Sequence, residues 1–267
     1  MSKTEHMNKS EYRGGLAGGL IGALHADAGV ISFVGAGGKK SAMFRIADGH
    51  PGRVAITATA HIERFPRRYR DASVLADGEE LHTRVCALRS ARVVAFAKSC
   101  DLPGRHAGIS DEELQRLYVD GGFDVCVVKA DGARGKLIKA PAEHEPPIAA
   151  CTTVVVPVVS ARVIGQPLSE KVAHRPERVA AVTGACIGEA ITTEHVARLL
   201  SSADGMLRNT RGCKVVPLIN MVDDPGCERL ARQAAEQALA LTDRFDCVVL
   251  GAMKKDNPLI AVLRRGD

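Results

Sequence analysis

Ile31-Ser32-Phe33-Val34-Gly35-Ala36-Gly37-Gly38-Lys39-Lys40-Ser41 is the stretch that decides the fold. An apolar strand breaks into a glycine-rich turn and a lysine then opens a helix, which is the order a phosphate-binding loop requires. Glycines let backbone N–H groups converge on phosphate oxygens, the helix N-terminus adds positive potential, and the lysine sets a point charge against the outer phosphates. Gly35, Ala36, Gly37, Gly38, Lys39, Lys40 and Ser41 are therefore the candidate nucleotide-binding residues, with Lys39 also a candidate catalytic cation. The Gly-x-x-Gly-Lys spacing is shorter than the usual G-x-x-x-x-G-K-[ST] form, and a strand-to-helix turn without a ligand fits it too. Where the longer form places a Ser or Thr hydroxyl for Mg²⁺, this chain has Lys40, which leaves Ser41 as the hydroxyl a metal would use.

Outward from the loop, continuous Val/Ile/Leu runs recur at 30–35, 53–59, 92–96, 123–130, 152–159, 214–220 and 247–251. Runs apolar on both faces belong to buried parallel strands. Helical patterns lie between them at 39–47, 110–120, 192–202 and 227–241, and Ser110 with Glu113 forms a capping-box signature. This alternation predicts an α/β fold of three layers, with a mostly parallel sheet of P-loop NTPase type and ligands at the carboxyl ends of its strands. Residues 1–29 read as a polar segment followed by a small-residue helix over 11–26. Residues 30–267 read as a single α/β nucleotide-binding domain, with 141–176 a long ordered loop or small excursion beside the site.

Aromatic residues make up 3% of the 267, with no Trp, so the core rests on Val, Ile, Leu and Ala and there is no aromatic platform for single-stranded nucleic acid. The net charge of +5 is concentrated in part at Arg64, Arg67, Arg68 and Arg70, which suits a phosphate-bearing ligand, an acidic partner or a solvated basic face. The eight cysteines show no C-x-x-C pair, and those within apolar runs, such as Cys126 and Cys247, read as small buried hydrophobes in a reducing cytoplasm. No uninterrupted apolar run is long enough to cross a bilayer, so the expectation is a cytoplasmic protein without membrane or nucleic-acid partners.

Asp131 follows the 123–130 strand, where a phosphate-loop enzyme holds its metal-side carboxylate, and is the second candidate catalytic residue; Asp131-Gly132 is also a common turn dipeptide. Lys129 shares its sheet face by period-two alternation. Lys129, Arg134, Glu143, His144 and the strand-end His61 are candidate substrate or phosphate contacts, with an ordinary exposed loop the alternative for the 139–145 charges. Asn220 and Asp223 have the spacing of the N-K-x-D guanine-reading element, with Met221 in place of its lysine, and make an equally good strand-end turn.

The combination of Val34–Lys39, Ala130-Asp131-Gly132-Ala133-Arg134-Gly135, Lys139-Ala140-Pro141-Ala142-Glu143-His144-Glu145-Pro146 and His174-Arg175-Pro176-Glu177 resembles the YqeC family of selenium-dependent hydroxylase accessory proteins. The resemblance runs from about residue 30 to 257. It implies a P-loop-type protein that binds ATP or GTP and takes part in maturing selenium-dependent molybdenum hydroxylases, with a hydroxylase or cofactor-maturation protein as partner. It also implies Thr at position 40, Glu at 129 and Lys at 221, where this chain has Lys40, Lys129 and Met221.

Two readings of the metal follow. Mg²⁺ is held by Ser41 and Asp131, or Lys40 and Lys129 take over part of its charge and the protein binds an anion with little metal and weak NTPase turnover. The short loop also resembles that of Mur-type ATP-dependent ligases, so a ligase or phosphotransferase acting on a small anionic substrate is the alternative function.

Overall fold

The computed structural model describes residues 19–210 and 212–266. Residues 19–23 are helical, and the remainder of the helix expected from residue 11 lies outside the described residues.

Ten strands form the main sheet. In chain order they are β1 (Gly29–Gly35), β2 (Val54–Ala58), β3 (Ser73–Leu75), β4 (Val93–Ala97), β5 (Val125–Lys129), β6 (Thr152–Ser160), β7 (Lys214–Val215), β8 (Leu218–Asn220), β9 (Cys247–Gly251) and β10 (Leu259–Arg264). Their lateral order is β10-β9-β8-β6-β1-β5-β2-β4-β3, with β7 also on β6, and among the described strands of this sheet β9 with β10 is the one antiparallel pair. Pro217, which has no N–H to give a ladder, separates β7 from β8 within the run expected as one strand. The helices are α1 (Lys39–Gly49), α2 (Gly78–Ala87), α3 (Asp111–Asp120), α4 (Pro176–Thr183), α5 (Thr193–Ser201) and α6 (Pro225–Leu241).

Period-two alternation sorts the strand side chains into two apolar layers. Ile31, Phe33, Ile56, Val125 and Val127 pack with Ala42, Met43 and Ile46 of α1 on one face. Val30, Ala55, Val94, Cys126 and Val128 meet α2 and α3 on the other. That second face continues under α5 and α6, where Ala231, Ala234, Ala235 and Ala238 bring α6 close to its neighbours. The three-layer α/β architecture expected from the alternation is therefore present. Ser110 caps α3 with the expected reciprocal bonds, its hydroxyl accepting from Glu113 N–H while the Glu113 carboxylate accepts from Ser110 N–H.

The 141–176 excursion contains β6 and closes with a two-stranded parallel ladder, Ile138–Lys139 against Ala173–His174. All eight cysteines are free, and of these only Cys126 is fully buried; Cys247, expected inside, is half-buried because β9 lies next to the edge strand β10. Among the described residues no helix is long and apolar enough to cross a membrane.

Candidate anion-binding site

The sheet places the site. β1 is central, between β5 and β6 and parallel to both, so its carboxyl end opens beside theirs, with Phe33 in register with Lys129 and Gly35 with Val158. The loop that follows needs left-handed backbone, with φ of 88° at Gly37 and 104° at Gly38. Space demands glycine as well: a Cβ at Gly37 would lie 2.4 Å from Ser160 N, and one at Gly38 2.5 Å from Asn220 Nδ2.

The amides divide into two sets. Gly35 N–H donates to Asp131 Oδ2 at 3.1 Å, Ala36 N–H to Val158 O at 2.9 Å, and Gly37 N–H to Lys136 O at 3.0 Å. These three candidate phosphate donors are engaged within the protein. The N–H groups of Gly38, Lys39, Lys40 and Ser41 have no acceptor among the described residues, and no side chain caps α1. The available donors thus sit at the first turn of α1, where the helix dipole is positive and an anion binds best.

Behind the loop runs a chain of buried charges. Lys39 Nζ donates to Gly35 O and faces Asp131 Oδ1 at 2.9 Å, with the two side chains 5% and 2% exposed. Oδ1 meets that ammonium as an ion pair without a well-aligned hydrogen bond. Asp131 Oδ2 accepts from Lys139 Nζ at 2.8 Å; the same ammonium donates to Gly132 O at 2.7 Å and lies 3.0 Å from Glu145 Oε2. Arg175 closes the chain on Glu145. Burial holds the Lys39 amine below its ordinary range, with Asp131 opposing. Burial pushes the Glu145 carboxyl up, but the Ala142 N–H, Lys139 and Arg175 outweigh it and bring it down to about 2.

Lys129 differs from its neighbours. Its side chain is 8% exposed, Nζ donates to His61 O, and no carboxylate pairs with it among the described residues. Burial pushes this amine down to about 8, helped by repulsion from Lys39, Lys139 and Lys40 and opposed by Asp131. Lys40, by contrast, pairs with Glu63, whose carboxyl that bond holds below its usual range.

These groups border a cleft of about 510 Å³ whose walls carry six cations, Lys39, Lys40, Arg105, Lys129, Arg134 and Lys136, against two carboxylates, Glu63 and Glu145. Ser41, His61 and Met221 also line it, so the structure gathers most of the expected site residues on one opening. Glu143 lines a separate groove with Glu177, Arg178 and Arg208, and His144 is exposed and does not line the cleft. Asn220 and Asp223 do not form a base-reading pair. The Asn220 amide is 1% exposed and committed at both ends, donating to Gly37 O at 2.8 Å and accepting from Met253 N–H at 3.4 Å, while Asp223 pairs with Arg162. In the basic patch Arg68 lies 3.0 Å from Asp48 Oδ2 with its guanidinium over the Tyr69 ring, whereas Arg64 and Arg67 are exposed; the Arg70 side chain lies outside the described set.

The donor set does not fit Mg²⁺. Both Asp131 oxygens face ammonium groups, so a divalent ion there would have to displace Lys39 or Lys139, and among the described residues no group of three or more His, Cys, Asp or Glu is placed to hold a metal. Lys139 and Arg175 were not singled out from chemistry alone. Lys139 carries no local mark of burial beyond its place in the Lys139–Pro146 run, and Arg175 none beyond His174–Glu177.

Fold and site together define an α/β protein of the P-loop NTPase-like three-layer type, with a cationic cleft at the carboxyl edge of its central strands. The chain matches the family model described as YqeC protein over residues 31–177, a span that holds the loop and the whole Lys39–Asp131–Lys139–Glu145–Arg175 chain. It is 30% identical over 242 residues to the protein named Uncharacterized protein YqeC of Escherichia coli (strain K12), covering 87% of this chain and 90% of that one. The chain belongs to the YqeC family.

Proposed function

We propose that this protein binds a nucleoside triphosphate, ATP or GTP, in the cleft at the N-terminus of α1, and that it serves as a nucleotide-responsive accessory factor with little hydrolytic turnover. The observation that carries this reading is the set of four unengaged N–H groups, Gly38 to Ser41, opening onto a cleft with six cations. Fixed donors and buried ammonium groups neutralise phosphate charge in a partly dry site, where each counts for more than in water.

Turnover is a different matter. Phosphoryl transfer depends on a metal that bridges phosphate oxygens and on a group that orients the attacking water. Asp131, the residue placed for either task, is locked between Lys39 and Lys139. The family resemblance supplies the cellular setting: maturation of a selenium-dependent molybdenum hydroxylase, with the bound nucleotide altering the surface that carries Glu145 and Arg175 toward a hydroxylase or cofactor-insertion partner.

Titration calorimetry with ATP and GTP, in Mg²⁺ and then in chelator, tests the reading alongside a phosphate-release assay. Binding retained in chelator with slow release is expected. Strict Mg²⁺ dependence, or fast release abolished by Lys39→Ala, overturns the accessory reading in favour of an NTPase.

A further inference from the structure

Pockets that select a nucleobase present apolar or aromatic walls with a few placed polar groups. The cleft beside α1 has no wall of bulky apolar side chains. Among the described residues no Phe, Tyr or Trp lines it, the only rings on its wall being the His61 and His174 imidazoles, and its apolar side chains are Ala36, Ala60, Ala133 and the Met221 thioether, which accepts a hydrogen bond from Ser160. The Phe65–His106 and Phe44–Tyr69 ring pairs do not line it. Asn220, whose amide would be the natural reader of a base edge, is bonded to backbone at both ends.

What the cleft does offer is charge. Glu63 and Glu145 are both engaged by cations of the protein, Lys40 for the first and Lys139 with Arg175 for the second. Lys129 is left without a carboxylate although nine-tenths buried, an arrangement whose cost falls when a ligand brings the missing negative charge. Arg134 is exposed at the rim, and a guanidinium plane stacks on any base alike.

We propose that this site reads the polyphosphate chain and not the base, so that inorganic tripolyphosphate is a ligand equal to any nucleoside triphosphate. The inference rests on the phosphate-binding reading of the cleft and narrows its ligand class to linear triphosphates of any substituent. The tripolyphosphate anion carries more charge than the nucleotide and loses nothing by lacking a base that the walls do not grip.

The experiment is calorimetry of the full chain in chelator with tripolyphosphate, ATP, GTP and CTP, and displacement of bound tripolyphosphate by adenosine or guanosine. The four triphosphates are expected to bind within about threefold of one another, and the nucleosides to displace nothing. Lys129→Met is expected to weaken all four by a similar factor of about ten, with a thermal melt confirming that the variant folds. ATP or GTP binding more than about tenfold tighter than tripolyphosphate, or displacement by a nucleoside, overturns base indifference while leaving nucleotide binding intact. If none of the triphosphates binds, the phosphate-binding reading itself falls.

Discussion

Lys39 and Asp131 face each other at 2.9 Å behind the loop, both almost wholly buried, so the ammonium that a phosphate loop extends to its ligand is held here by the protein's own carboxylate. A ligand that recruits Lys39 has to part this pair, and Asp131 then keeps Lys139 as its counter-ion. Ligand binding is thereby tied to the ion chain that ends at Arg175.

Replacing Asp131 tests that arrangement. Asp131→Asn keeps the shape and removes the charge between two buried ammonium groups, leaving Lys39 uncompensated and Lys139 with Glu145 alone. A loss of about 3–5 kcal/mol is expected, read in a thermal melt as a drop on the order of 10 °C. An unchanged melt would show that Lys39 and Lys139 find other partners.

Lys129 gives the pH dependence. Its ordinary value is 10.5 and burial brings it to about 8, so between those values the unfolded chain holds a proton there that the folded chain lacks. Stability from this group rises with pH across that window, and below pH 8 the charged amine carries a penalty of about 3 kcal/mol. Lys129→Met therefore stabilises the protein at neutral pH. Anion affinity moves the opposite way, falling by up to about tenfold per pH unit above 8 as the ammonium is lost, and the variant flattens that profile. Affinity that is constant from pH 7 to 9 would place Lys129 outside the ligand's reach.

Glu145 sets the acid limit of the excursion that contains it. With its carboxyl lowered from 4.5 to about 2, its contribution is fully present above pH 4.5 and is lost as pH falls from there through 2. Glu145→Gln is expected to cost about 2 kcal/mol at neutral pH and to remove this acid step. Unfolding curves at pH 7 and pH 3 compare the two; a wild-type protein equally stable at both would contradict the assignment.

The loop backbone is the last target. Gly37→Ala forces a Cβ against Ser160 N at a φ of 88°, so the loop and its open amides are displaced whether or not the rest of the fold survives. Triphosphate binding is expected to disappear with the circular dichroism of the sheet retained. Retained affinity would mean that the ligand does not use the amides that follow Gly37.

The layers were legible because they follow from local pattern. Runs such as 123–130 are apolar on both faces, and Ser110 with Glu113 announces the start of α3, so strand order aside, sequence periodicity carries the architecture. The edge strands β3 and β10 and the short helices α2 and α4 were not anticipated, since their apolar patterns are brief and become informative only against a formed sheet. In the site, Lys129 and Asp131 follow from alternation along β5. The engagement of the Gly35, Ala36 and Gly37 amides does not, because their acceptors Asp131, Val158 and Lys136 are about a hundred residues away or more. The same holds for Asn220, whose motif spacing suggested a base contact while tertiary contacts gave its amide to Gly37 and Met253.

A crystal structure of the protein soaked with a triphosphate in metal-free buffer tests the central claim most directly. Phosphate oxygens are expected within hydrogen-bond distance of the Gly38–Ser41 amides, with Lys129 Nζ turned from His61 O onto the ligand. A cleft empty of phosphate under saturating ligand, or phosphate bound only around a divalent ion at Asp131, would contradict the account.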